Sequence, residues 1–370
     1  MGMRLSYIRL QDFRNHPFFD SGELQRFNIF VGPNGAGKTN IIEAIQLMTS
    51  LESFRTVKWN EMVRWGCEKA EVRAAIEGGG RDLDIHLYVK DARRRYQLNG
   101  KGKATNELWG LLPSVIFNPD DLDIVKGSAE RRRAALDAIG TQLSGTYHDL
   151  KGEFSKAMRQ KGALLQSEQE VDPLLLSAWN ENIARIAAHF AKHRLSLFNQ
   201  FSRILRELYG DLDIVNSFEI VYLPSWGEGG ESIVESTYTE EELNDLILAN
   251  MQGHLEAELA AGRCLVGPQR DDLLFTLNAH DARKFASQGQ QRFIALAWKI
   301  AEMKTIEAIA DTRPLLLLDD VLSELDQSKR EVLLDYLLDN KQTFITTTDI
   351  SQIDDRILRD AHVFEVARHD

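Results

Sequence analysis

The sequence predicts an α/β fold in which one parallel-sheet domain is built from both ends of the chain around a mainly helical insertion. Three observations carry this. The apolar run Phe27-Asn28-Ile29-Phe30-Val31 leads through a glycine-rich loop into a segment of helical period. Leu315-Leu316-Leu317-Leu318 is a second buried-strand run, and it stops at Asp319-Asp320. Between them, residues 128–209 carry almost unbroken helical periodicity.

The elements follow in order. Arg4 to Leu10 alternates as a half-buried strand does, and Phe27 to Val31 has the length of a fully buried one. A helix is expected from Lys38 to about Ser50, with Ile41, Ile42, Ile45 and Met48 on its apolar positions. Glu71–Ile76, Asp82–Val89 and Arg93–Leu98 read as a meander punctuated by Gly78-Gly79-Gly80 and Asn99-Gly100. A strand at Val115–Phe117 closes the first part. Helices then run to Tyr209, with breaks near Gly140–Gly145 and at Asp172-Pro173, and Leu174–Tyr209 is one long amphipathic helix. A strand pair around Phe218–Leu223, a loop at Trp226–Gly230 and a helix over Thr239–Ala261 with Gly262 as its cap come next. Strand returns at Leu273–Leu277, and the last hundred residues alternate helix with strand. The expected division is 1–117 with 263–370 for the α/β domain, and 118–262 for the insertion.

Composition narrows the class. Of 370 residues, 43% are apolar and 27% charged, which excludes a mainly disordered chain. No stretch approaches the roughly 18 apolar residues of a membrane span, and the start is unlike a signal peptide. Cys67 and Cys264 stand alone, without metal-ligand spacing, so a reducing, cytoplasmic setting is expected. Lys plus Arg number 44 against 56 Asp plus Glu, a net charge of −12. A whole-surface nucleic-acid binder is thereby disfavoured, but a local basic groove is not. Two basic runs stand out, Arg93-Arg94-Arg95 (followed by Lys101 and Lys103) and Arg131-Arg132-Arg133.

Three motifs carry chemistry. Gly32-Pro33-Asn34-Gly35-Ala36-Gly37-Lys38-Thr39 fits G-x-x-x-x-G-K-[ST] in full, between a strand and a helix. Its glycines let backbone N–H groups turn inward on a phosphate, Lys38 reaches the β/γ-phosphates, and Thr39 offers a hydroxyl to Mg²⁺. Asp319 and Asp320 emerge at the carboxyl end of an apolar strand, where open α/β sheets bind ligands. Asp319 suits the metal, and Asp320 suits polarisation of an attacking water. Ser287-Gln288-Gly289-Gln290-Gln291 opens a further helix, a second anion-binding N-terminus. One chain does not need two for a single γ-phosphate, so this one is read as serving a partner's nucleotide.

With Ser323-Glu324-Leu325-Asp326 after the acidic strand, these motifs resemble the ATP-binding-cassette (ABC) ATPase head, in the branch holding SMC and DNA-repair proteins. More narrowly, the whole chain resembles the RecF family of bacterial recombination mediators. Phe13-Arg14-Asn15-His16, Pro119 to Ser128 running on to Arg133, and Val266-Gly267-Pro268-Gln269-Arg270-Asp271-Asp272-Leu273 carry that narrower likeness. The resemblance implies an ABC-type ATPase lobe with a helical second lobe and no long coiled coil. It adds Arg14 and Asn40 to the ATP-binding set and makes Asp326 the D-loop acid. It further implies ATP and Mg²⁺ as cofactors, an ATP-dependent homodimer, and DNA at single-strand/double-strand junctions as ligand. Arg131, Arg132 and Arg133 fall in the first turns of a helix, unfavourable for cations, and are read either as DNA-phosphate contacts or as partners of Asp120, Asp121 or Asp123. RecO and RecR are the implied partners in loading RecA, without a membrane.

The chain departs from the family pattern at Gln269 and Ala129, where histidine and proline are expected. Asn118 stands near the place of the glutamine between lobes, and Thr348 or Asp349 near that of the switch histidine. Asp320 replaces the wider class's glutamate, one methylene shorter, which favours slow hydrolysis; the resemblance implies a weak, DNA-dependent ATPase. A nucleotide-gated scaffold without a DNA grip and a transporter ATPase subunit are the alternatives. His189 and His193 read as a solvated pair, and Trp59, Trp65 and Trp109 as core packing.

Overall fold

Alternation makes β1 (Arg4–Phe13), which buries Leu5, Ile8 and Leu10 and pairs with β2 (His16–Asp20). β3 (Phe27–Val31) follows, then α1 (Lys38–Thr49). β4 (Lys69–Gly78), β5 (Arg81–Lys90), β6 (Arg93–Leu98) and β7 (Lys101–Lys103) complete an antiparallel sheet in the order β2-β1-β4-β5-β6-β7. β8 (Ser114–Phe117) ends this part. These elements come from a computed structural model that describes residues 3–56, 58–167, 172–212, 217–227, 232–235, 237–339 and 341–368.

The helical part begins with α2 (Ala129–Leu143) and α3 (Gly145–Leu165), both capped by serine side chains, Ser128 and Ser144. α4 (Pro173–Leu212) is the long amphipathic helix expected. β9 (Phe218–Leu223) has no full partner strand beside it in sequence; Tyr222 makes a single bridge to Ile233, and residues 228–230 of the expected loop lie outside the described set. The helix expected over Thr239–Ala261 is two helices, α5 (Glu240–Gly253) and α6 (Leu255–Ala261), interrupted at His254 beside Gly253. Gly262 does cap α6, at φ 60°. β10 (Asp272–Leu277), β11 (His280–Asp281), α7 (Ala282–Phe285) and α8 (Gln288–Ala310) follow.

Then come β12 (Leu315–Asp319), α9 (Gln327–Leu337), β13 (Thr343–Thr347), α10 (Asp355–Leu358) and β14 (Ala361–Glu365). Five strands form an all-parallel sheet, β14-β3-β13-β12-β8. Such a sheet is covered on both faces, which explains why β12 and β13 are buried at every residue.

Two compact units result, Met1–Leu122 with Glu302–Asp370, and Asp123–Ala301. The stretch 263–301, expected with the α/β domain, falls in the inserted unit because β10 pairs with β9 rather than with the parallel sheet. In the first unit, α1 touches β1 and β4 of one sheet and β8, β12 and β13 of the other. Ten of its twelve residues are buried, as a helix packed on all sides requires. Its Ile41, Ile42, Ile45 and Met48 share one core with Val72, Leu87, Leu317 and Phe344.

In the second unit a buried polar network joins helices to sheet. Arg194 on α4 clamps Asp137 on α2 with two bonds of 2.9 and 2.8 Å, and Asp271 accepts from Tyr222 and Trp226. His189 and His193 stack on the exposed side of α4, where His189 meets Glu240 at 3.2 Å. No helix among the described residues is long and apolar enough to cross a membrane.

Candidate functional site

The loop between β3 and α1 is shaped by its glycines. Gly37 sits at φ 105°, and a Cβ there would lie 2.5 Å from both Asn15 Oδ1 and His16 Nε2. At Gly32 a Cβ would meet the Val366 carbonyl at 2.2 Å. Lys38, the first residue of α1, folds back and donates from Nζ to the Gly32 and Pro33 carbonyls at 2.7 and 3.1 Å. Burial lowers its pKa, opposed by the charges of Asp320 and Asp319.

Beneath the loop, β12 ends next to β13, with Asp319 in register with Thr346. Asp319 Oδ1 accepts from Thr39 Oγ1 at 2.9 Å and from Thr346 Oγ1 at 2.8 Å. Burial raises the Asp319 pKa; the two hydroxyl bonds pull it down, and the neighbouring Asp320 pushes it up. Asp320 takes a left-handed backbone at φ 54°, with its N–H donating to Thr346 Oγ1 at 2.9 Å. Lys38, Thr39, Asn40, Arg55, Asp320 and Thr346 line one cavity of about 250 Å³.

A second, larger cavity of about 560 Å³ shares Asn40 and Arg55 with the first and adds Arg14, Asn15, Glu61 and Trp65. Arg14 is held here, not free. Its Nε and Nη2 donate to Glu43 at 2.8 and 2.6 Å, and its Nη1 to the Glu61 carbonyl at 2.8 Å. Glu43 is fully buried on α1 and also accepts from Ser53. Arg55 is looser: its Nη1 donates to Asn40 Oδ1 at 2.5 Å and stands 3.6 Å from Glu43. Trp65, expected in the core, is 98% exposed at the rim, whereas Trp59 and Trp109 pack against the core.

The loop Gly32–Asn40, Asp319 and Asp320 therefore come together in one unit. Ser287–Gln291 lie in the other unit. Ser287 caps α8 in a reciprocal box with Gln290: its N–H donates to Gln290 Oε1 at 2.8 Å, and Gln290 N–H returns to Ser287 Oγ at 3.3 Å. Ser287, Gln288 and Gly289 are exposed, and Gln291 is buried against the Ala286 carbonyl. Asp326 caps α9. Asn118 bonds with Asp121, and Asp349 caps a short 3₁₀ turn, so both serve local structure. Arg55, Thr346 and Glu43 were not legible as site residues.

The arginine run at the start of α2 makes contacts within its own unit. Arg132 is 1% exposed and forms a two-bond pair with Asp272 at 2.8 and 3.0 Å, while its Nη1 reaches the Gly127 carbonyl at 2.5 Å. Arg133 donates to the Asp271 carbonyl. These two guanidinium groups tie α2 to the start of β10, and the stem of Arg131 lies over Gly127.

A phosphate loop on a central parallel sheet, paired aspartates at its strand end and an antiparallel second sheet over α1 define an ABC-type P-loop ATPase head. Residues 4–365 match the model of the RecF/RecN/SMC N-terminal domain. Similar proteins include the DNA replication and repair protein RecF of Halothermothrix orenii, 34% identical over 98% of this chain and 97% of that one. That of Myxococcus xanthus is 32% identical over 99% and 97%. The chain belongs to the RecF family. A solved structure of the recombination mediator protein RecF-ATPrS overlays with a TM-score of 0.88 at 29% identity, covering 95% of this chain and 94% of that one. An SMC head from Pyrococcus furiosus shares the fold at 16% identity and a TM-score of 0.53.

Proposed function

We propose that this protein binds and slowly hydrolyses ATP, and that ATP joins two copies into a dimer that acts on DNA in recombinational repair. The observation that carries the reading is that Lys38, Thr39 and Asp320 line one cavity at the loop, with Asp319 hydrogen-bonded to Thr39. Loop N–H groups and Lys38 suit the β- and γ-phosphates. On entry of the nucleotide, Lys38 exchanges its carbonyl partners for phosphate oxygens. The Thr39 hydroxyl and the Asp319 carboxylate, already 2.9 Å apart, fit Mg²⁺, which takes one or two protein oxygens and supplies charge neutralisation at the phosphates. The carboxylate of Asp320, whose backbone N–H is held by Thr346, accepts the proton of a water that attacks the γ-phosphorus; the bond to the bridging oxygen breaks, leaving ADP and phosphate. Arg55 adds a cation at the phosphate end, and the larger cavity suits the nucleoside. The exposed start of α8, with Ser287 and Gly289, faces the second copy's γ-phosphate, and Asp326 belongs to the same interface.

RecF relatives named for DNA replication and repair support a role at single-strand/double-strand junctions at gaps and stalled forks, helping RecO and RecR to load RecA. Sedimentation with ATP, ADP and gapped DNA tests the whole reading. An ATP-specific dimer that retains gapped DNA is expected; a monomer under every condition overturns it.

A further inference from the structure

Strand alternation splits Arg93-Arg94-Arg95 between the two faces of the antiparallel sheet. Arg94 points inward: it donates to the Leu51 carbonyl at 2.9 Å and lies 4.5 Å from the Trp59 ring. Arg93 and Arg95 point outward and are exposed, and neither has a hydrogen bond or ion pair among the described residues. The pairing register places Lys69, Lys90 and Arg93 side by side on β4, β5 and β6, roughly 4.8 Å per strand. The next row on the same face is Glu71, Tyr88 and Arg95. Lys69, Tyr88, Lys90, Arg93 and Arg95 line an open cleft of about 430 Å³ that Gln97 completes.

We infer that this cleft holds the phosphate backbone of nucleic acid, an assignment that rests on the DNA-binding reading above. Four cations converge on one end of a sheet in a chain of net charge −12, so polyanions are repelled from most of the surface and drawn here. The acids present are Asp91 in the turn, Glu71, 2.7 Å from Lys69, and Glu68, 3.8 Å from Lys90. The lysine side chains of both pairs are solvent-exposed and can turn to a phosphate, Glu71 keeping its His86 contact at 3.2 Å. The guanidinium groups of Arg93 and Arg95 have no partner to give up, and their planar forks match phosphate oxygens two at a time. Beside them the His86 and Tyr88 rings lie with centroids 3.9 Å apart, tilted by 34°, an aromatic edge for a sugar or an unpaired base. An acidic peptide would use the cations but not that edge.

The test is an anisotropy titration of gapped DNA with the full chain and ATP, at several salt concentrations, using Arg93→Ala/Arg95→Ala. Neither side chain supports the fold, so the variant's thermal midpoint and ATP affinity stay at wild type. Affinity falls roughly tenfold, and the log–log salt slope shrinks by about 1.8, two contacts at about 0.9 each. Arg93→Lys/Arg95→Lys recovers most of the slope. Equal affinity and slope for wild type and the alanine variant overturn this surface alone. A wild-type chain that binds no DNA overturns the DNA reading with it. A variant that keeps DNA affinity but loses a polyglutamate peptide makes the cleft a protein-docking site and overturns the assignment.

Discussion

The Thr39 hydroxyl donates to the Asp319 carboxylate at 2.9 Å, across 280 positions of sequence. Thr39 belongs to the first turn of α1 and Asp319 to the last residue of β12. The bond joins the two halves of the split domain at the point where the proposed nucleotide's phosphates would sit. It also lets Asp319 stay buried at the head of the parallel sheet, because a burial-raised carboxylate here has Thr39 and Thr346 as donors.

Lys38→Ala should weaken ATP binding strongly while leaving the fold intact. The Nζ now rests on the Gly32 and Pro33 carbonyls, which water can satisfy in its absence. A charge-assisted contact to phosphate is worth about 1.5–3 kcal/mol, so nucleotide affinity by titration calorimetry should drop roughly 10- to 100-fold. Wild-type affinity in the variant would remove the loop from the site.

Arg132→Ala should act on stability rather than on DNA. It leaves the Asp272 carboxylate with the Leu273 N–H at 2.7 Å and the weaker Arg283 contact at 3.3 Å, and strips the Gly127 carbonyl of the Arg132 donor. Breaking a buried pair from one side costs about 3–5 kcal/mol, measurable as a lower urea midpoint. DNA affinity below that midpoint should match wild type. A stable variant with weakened DNA binding would restore Arg132 as a contact residue.

What was legible in the sequence was local. The phosphate loop, the buried run of β12 and the serine start of α8 each announce themselves within ten residues, and each forms where expected. What escaped depends on register and long-range partners. Thr346 enters the site only because β13 lies in register beside β12, and Arg55 only because its chain folds back onto Asn40. Arg132 carries no sequence mark of its partner, Asp272, which lies 140 positions away. A run of three cations looks like a solvated face until one of them proves to be 1% exposed. Arg93-Arg94-Arg95 yields more, because a strand's period of two already separates the inward residue from the outward pair.

The Asp326 cap predicts a pH dependence. Hydrogen bonds from the Lys329 side chain, the Lys329 N–H and Ser328 hold its pKa at about 2. An unfolded aspartate titrates near 3.9, so its folded value is depressed. Its contribution is therefore complete above about pH 4 and is lost as pH falls through about 2. Asp326→Ala should cost about 1 kcal/mol at neutral pH, the usual worth of an N-cap. The stability gap to wild type, from urea unfolding, should narrow between about pH 4 and pH 2. Asp326→Asn keeps a capping oxygen and should show a smaller, pH-independent gap. A gap in Asp326→Ala that stays constant over that range would show that the charge contributes nothing.

The dimer gives the sharpest separation of roles. If the start of α8 completes the second copy's site, ATP should convert monomer to a two-fold dimer with two nucleotides, and ADP should not. Ser287→Arg places a bulky side chain where the foreign phosphate approaches, and should block dimerisation and hydrolysis while ATP binding by the monomer persists. Ser287 also caps α8 through its exchange with Gln290, so the arginine variant loses about 1 kcal/mol of cap as well. Ser287→Asp separates the two effects. Aspartate caps as well as serine does, so stability should hold, yet its charge repels an incoming γ-phosphate. It should therefore remain monomeric with ATP at a wild-type thermal midpoint. Asp320→Asn should behave in the opposite way: the acceptor for the water's proton is gone, but nothing at the interface changes, so the ATP dimer forms and persists. Sedimentation velocity on the three variants reads all of this. A Ser287→Asp protein that dimerises with ATP as wild type does would leave Ser287 as a helix cap and close the nucleotide within one chain.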